Sequence, residues 1–375
     1  MTTLNVDAIK TAMADKGMSA ADLAKLMDVS REGVSKWLSG ESMPRPAKML
    51  KLCLALGLSR AAAMGLPDRS AMQPQVAFRM SRAKQAQDHH VDRARHMGKL
   101  LEELVPHLPF DKFEAPPALK NPTSDYSYLQ ELAQALRKEM GVSATGVINL
   151  QTLARLFVKL QAVIVPVLWG HRKNHENAIH IYSPGTATTW VYLNLDTRLA
   201  DLKFWLAHEL GHTYTFTTLQ GDAGEDFADG FAGALLFPES LASSLYAQLA
   251  GVRLMRSRIA HLKSVADSLE ISMVCVAKQL DKYAEHRGLR KLIDEDRALY
   301  QAVEMSKPVL ASKALLGEGE IDLEALVRIS ESVFHTPLYA ALRSYLLETK
   351  ASAGYVQGIL DCSLVDAKQI VSELA

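Results

Sequence analysis

Residues 199–216 constrain the fold of this chain more than any other stretch. They read LADLKFWLAHELGHTYTF, and apolar side chains fall on nearly every side of the helix this spacing predicts. Leu199, Leu202, Leu206 and Leu210 make one stripe, and Phe204 and Trp205 cover another side. A helix apolar nearly all round must lie buried between layers. The same helix nevertheless carries His208, Glu209 and His212, which are costly to bury unless they coordinate something. Asp196 or Thr197 is its expected start. Residues four apart on a helix differ by about 40° and one turn, so both imidazoles can meet one metal ion. Glu209 sits one residue along, where its carboxylate can reach a metal-bound water.

A second helix supplies what the first lacks. In GEDFADGFAGALLFPES (224–240), Glu225, Ala228, Asp229 and Ala232 share one helical face. Small alanines let this helix press against the first, and Glu225 offers an oxygen ligand. Two histidines, one glutamate and a water are the open tetrahedral set of catalytic zinc. Asp229, one turn beyond Glu225, is placed to hold a histidine N–H. Pro238 closes the helix.

The pairing of HELGH with ExxADxFAxxLLxP resembles the ImmA/IrrE family of bacterial zinc metallopeptidases, over roughly residues 126–285. The resemblance implies that His208, His212 and Glu225 are Zn2+ ligands and Glu209 the catalytic base. It also implies cleavage of repressor-type proteins in stress, phage or mobile-element control. The short stretch between His212 and Glu225 has no further histidine, so no substrate-groove residue carries over. An oxyanion donor is usual in such chemistry, and His171, His175, His180, Tyr192 and Tyr214 are the candidates. For each of these taken singly, a surface or strand histidine or a packed tyrosine is the stronger reading.

The amino-terminal stretch MSAADLAKLMDVSREGVSKWLSGESMPRP carries a different signal. Ser19 is an expected cap for a helix to about Met27, with Leu23, Ala24 and Met27 turned inward. Asp28-Val29 leaves room only for a tight turn. Ser30 caps a second helix, with Val34, Trp37 and Leu38 inward and Gly40 at its end. Two short helices joined this way suit insertion of the second into the major groove. Arg31, Glu32, Ser35 and Lys36 then face base edges or phosphates. Residues 1–60 hold nine Lys/Arg against six Asp/Glu, a local basic excess in a chain whose formal charge is zero. The segment resembles the Cro/cI-type (XRE) helix-turn-helix family, which implies operator DNA as partner, usually bound by a homodimer. A helical bundle for protein contact is the alternative.

These signals fit a mainly α chain of 375 residues with an α+β metallopeptidase domain. The expected divisions are an all-α head at 1–65, a linker with a charged helix at 66–125, the zinc domain at 126–285 and a helical region at 286–375. VIVPVLW (163–169), AIHIYS (178–183) and TTWVYLNL (188–195) predict a small sheet packed on the HExxH helix. Segment 79–99 has six Lys/Arg against two Asp and reads as a solvated helix face, with phosphate contact as the alternative. Its adjacent His89 and His90 diverge on a helix and make a poor metal pair. Residues 351–374 predict helix, tight turn, Ser363 cap and helix, read as a packing or oligomer element rather than a second DNA site.

Three widely separated cysteines, without a CxxC pair, exclude a disulfide scaffold and fit a reducing compartment. Cys362 is read as a small buried residue. No run reaches 18 apolar residues and Met1–Lys10 lacks a signal-peptide plan, so no membrane partner and a cytoplasmic location are expected. The function expected is a DNA-binding transcriptional regulator carrying a zinc-dependent peptidase domain that cleaves a repressor or antitoxin-type protein. The alternative is a transcription factor or antitoxin whose peptidase-like domain senses a partner without turnover.

Overall fold

The computed structural model describes residues 4–44, 46–56, 58, 63, 74–78, 88–110, 119–170, 177–293, 298–306, 309–319 and 322–375. The chain divides into two compact units, Met1–Gln73 and Pro74–Ala375.

The first unit is helical. Its helices are α1 (Val6–Asp15), α2 (Ala20–Met27), α3 (Arg31–Leu38) and α4 (Pro46–Leu56). Ser19 and Asp22 form a reciprocal capping box at the start of α2. Asp28 ends α2 in the left-handed region at φ 51°, a conformation that Asp and Asn tolerate better than most side chains. The Ser30 hydroxyl accepts from Gly33 N at 3.1 Å and caps α3, which starts at the next residue. Lys48 Nζ donates to the carbonyls of Met27 and Asp28, which ties α4 to the same turn. Ile9, Leu23, Met27, Val34, Trp37, Leu52 and Leu56 close one small core. Leu38, expected inside, is only half-buried at its edge.

The second unit wraps helices around a four-stranded sheet. The strands are β1 (Gln75–Phe78), β2 (Ala162–Val167), β3 (Ala178–Ser183) and β4 (Thr188–Asn194), in the order β1-β3-β4-β2. β1 and β4 run antiparallel to β3, and β2 runs parallel to β4. Pro166 lies in β2 at the sheet edge, where a missing N–H costs no ladder bond. Residues of β2 and β4 are buried without alternation, because both faces of the sheet are covered.

The helices α5 (Asp88–Leu101), α6 (Tyr126–Glu139), α7 (Leu150–Lys159), α8 (Leu199–Thr215) and α9 (Gly221–Leu236) share one continuous core with the sheet. So do α10 (Glu239–Ala250), α11 (Met255–Leu269) and α12 (Met273–His286). Part of the stretch expected as linker is therefore structural: β1 pairs with β3, and Ala94, Met97 and Leu101 of α5 are buried. The residues beyond 286 are helical as expected, in α13 (Tyr300–Met305), α14 (Ala311–Leu316), α15 (Leu323–Ser332), α16 (Leu338–Thr349), α17 (Ala353–Leu360) and α18 (Leu364–Leu374). They pack into the same core, and the Thr336 hydroxyl donates to the Ile164 carbonyl of β2 at 2.6 Å.

The start of α8 differs from expectation. Asp196 accepts a hydrogen bond from Gly170 N at 2.7 Å, and the Thr197 carbonyl accepts from Ala311 N. The helix begins at Leu199, with Arg198 at the cap position and no side-chain cap.

Candidate metal centre and candidate nucleic-acid interface

The two helices that carry the predicted ligands approach closely because nothing protrudes between them. A Cβ added at Gly211 of α8 would lie 3.0 Å from Ala228 Cα and 3.1 Å from Phe231 Cδ1 of α9. Gly211 and Ala228 thus let the backbones meet where a larger residue would hold them apart.

At this crossing the side chains converge. His208 Nε2 and His212 Nε2 are 3.1 Å apart. Glu225 Oε2 lies 3.3 Å from His208 Nε2, and Glu225 Oε1 lies 3.2 Å from His212 Nε2. A tetrahedral zinc with bonds of about 2.0–2.1 Å places its donor atoms about 3.3–3.4 Å apart. The donor set fits zinc in chemistry and in spacing. Among the described residues these three are the group found with metal-ligand geometry. Asp229 Oδ1 stands 3.0 Å from His208 Nδ1, on the far side of the ring from the cluster. That contact fixes the ring orientation and leaves Nε2 to face a cation.

Electrostatics reflect the convergence. Burial disfavours the charged form of His208, but hydrogen bonds to Asp229 and Glu225 outweigh it and raise its pKa to about 9. Burial also opposes charge on Glu225, yet the two histidines outweigh it and hold its carboxyl at about 2. His212 stays below the ordinary imidazole value, because burial and the nearby His208 exceed the pull of Glu225. Without a metal, the cluster keeps a proton on His208 at neutral pH.

Glu209 is 3% exposed, and its Oε2 faces His180 Nδ1 at 3.6 Å. His180 is one of the five oxyanion candidates. Tyr192 is not available for that role, because its hydroxyl donates to the Ile359 carbonyl at 2.5 Å. The Tyr214 ring packs edge-on against Phe231, and burial pushes its hydroxyl up to about 12. His171 and His175 lie outside the described residues.

In the first unit, Arg31, Glu32, Ser35 and Lys36 all stand exposed on α3. Lys36 Nζ pairs with Glu32 Oε1 at 2.8 Å. The side chains of His89 and His90 lie outside the described residues. Nearby on α5, Arg93 pairs with Asp361, so one basic group of that segment is spent inside the second unit. Burial, then Asp366, pushes the half-buried Cys362 thiol up, the reverse of an activated thiolate.

Residues 9–62 match the family described as Helix-turn-helix. No curated protein matches this chain. The match, with the capped turn and exposed second helix already described, makes the first unit an XRE-type helix-turn-helix. The chain is to that extent a DNA-binding transcription regulator. Among the described residues no helix is long and apolar enough to cross a membrane.

Proposed function

We propose that the second unit is a zinc metalloendopeptidase, and that this regulator cleaves a repressor or antitoxin-type protein in stress, phage or mobile-element control. One observation carries the reading: two imidazoles and a carboxylate, from two helices in near-contact, lie 3.1–3.3 Å from one another. His208, His212 and Glu225 would hold Zn2+, and Asp229 would orient His208. A bound zinc ion supplies a Lewis acid and a water acidified towards neutral pH. Glu209 takes the proton from the attacking water and returns it to the leaving amine. The helix-turn-helix head brings the peptidase to operator DNA through Arg31, Glu32, Ser35 and Lys36. Half-sites come in symmetric pairs and one head covers little DNA, so the working form is a homodimer in the cytoplasm.

The test is a cleavage assay on products of adjacent genes, comparing wild type with Glu209→Gln. Glu209-dependent fragments support turnover, and identical fragment patterns leave a metal-binding sensor in its place. Metal analysis should find about one zinc per chain, lost in His208→Ala.

Acidity gives an independent handle. Zinc must displace the His208 proton, so apparent zinc affinity should rise about tenfold per pH unit up to about pH 9. For the metal-free protein the signs of the two shifts oppose. His208 contributes stability below its ordinary 6.5 and loses it as pH rises through about 9. Glu225 contributes above its ordinary 4.5 and loses it as pH falls towards about 2. Because His212 is held below 6.5, its burial costs stability as pH falls below that value, so the metal-free melting temperature should peak near pH 6.5 and fall on both sides. A flat zinc affinity across pH 6–9 would remove His208 from the ligand set.

A further inference from the structure

We infer that His180, on β3, is a positioning residue that holds the Glu209 carboxylate in one orientation; the inference rests on the peptidase reading above. His180 is 0% exposed, and neither ring nitrogen has a hydrogen-bond partner within range. Buried polar groups of this kind are normally satisfied, so an exception calls for a reason. Glu209 Oε2 faces His180, 3.6 Å from Nδ1. His180 does not join the ligand cluster, whose donor atoms come from His208, His212 and Glu225.

Its own placement is rigid. The residue pairs with Ala77 of β1 on one side and with Val191 of β4 on the other. Its ring stacks on Phe216 at 4.9 Å with 19° between planes, and lies 6.0 Å from the His212 ring. An N–H fixed to a paired strand restricts the orientation of a carboxylate at one oxygen. The sheet thereby acts on a group carried by the helix beside it.

Three variants test the assignment. His180→Phe keeps a ring on Phe216 but deletes the donor, His180→Asn places an amide N–H near Nδ1, and His180→Gln places it near Nε2. Each is loaded with zinc for metal analysis and cleavage, and with Co2+ for its visible absorption spectrum. Metal content should stay at the wild-type level in all three. Cleavage should fall about 10–100-fold in His180→Phe and His180→Gln and recover substantially in His180→Asn. The cobalt spectrum of His180→Phe should move to that of Glu209→Gln. Loss of metal from His180→Asn, equal rates in the Asn and Gln variants, or an unchanged cobalt spectrum in His180→Phe would overturn the assignment. If His180→Phe does not fold, the Asn and Gln pair decides alone. Wild-type protein without metal would bring down the peptidase reading itself, whereas metal without these differences brings down only His180.

Discussion

The chain contains two helix-turn-helix pairs of nearly the same build, one in each unit. In the first, Ser19 precedes α2, Asp28 turns at φ 51° and Ser30 caps α3. In the second, Ser352 precedes α17, Asp361 turns at φ 51° and Ser363 caps α18. The first helix of each pair has eight residues. Leu23, Met27, Val34 and Trp37 are buried in one, and Val356, Leu360, Ala367 and Ile370 occupy the same steps in the other. What differs is the outer face. Where α3 presents Arg31 and Glu32, α18 presents Leu364 at 44% exposure and Val365 at 75%. The second turn is also pinned from outside itself, by Arg93 on Asp361, by Tyr192 on the Ile359 carbonyl and by Trp169 on the Leu360 carbonyl. The capped turn is thus a packing solution that either role can use. Recognition lies in the residues the turn displays.

Four pairs of substitutions probe that contrast, from the largest effect to the smallest. Trp37→Ala should cost about 3–4 kcal/mol and, in a unit with so small a core, abolish DNA binding. Ile370→Ala should cost about 2–3 kcal/mol by denaturation and leave DNA binding intact. Arg31→Ala should weaken operator binding by about 1–3 kcal/mol in a gel-shift series and alter its salt slope, whereas Leu364→Ala should change neither. Ser30→Ala should cost about 1 kcal/mol and Ser363→Ala at least as much, since both hydroxyls accept from the backbone N–H three residues on and Ser363 also donates to Asp366. Asp28→Gly should stabilise by about 0.5 kcal/mol by relieving the left-handed turn, since its long, exposed pair with Lys48 contributes little, while Asp361→Gly should destabilise because Arg93 loses its partner. Equal signs for this last pair would show that the Arg93 contact contributes little.

Local signals were legible in the sequence. The Ser caps, the left-handed Asp and the 3.6-residue spacing act within one or two turns, so α2, α3, α17 and α18 read correctly from their residues. The three strands around the site were equally readable, as β-branched and aromatic runs. Long-range bonds were not. Lys203 lies on the helix read as apolar nearly all round, yet it is 3% exposed and its Nζ donates to the carbonyls of Ile148 and Leu269. Arg137 is 2% exposed and reaches the Leu235 carbonyl near the end of α9 at 2.6 Å. None of these three carbonyls is near its donor in sequence, and no pattern of residue types announces such a bond. β1 has only four residues, too few for a strand pattern, and its identity as a strand comes from pairing with β3. His180 was one histidine among several until the sheet register set it opposite Glu209.

The closeness of Gly211 to Ala228 has a chemical consequence of its own. Under the zinc reading proposed above, the distance between the two ligand-bearing backbones is set by the absence of a single methyl group at position 211. Enlarging position 211 would widen that span for the whole length of both helices at once. On that reading, such a variant should shift preference from zinc towards cations of larger radius and looser coordination.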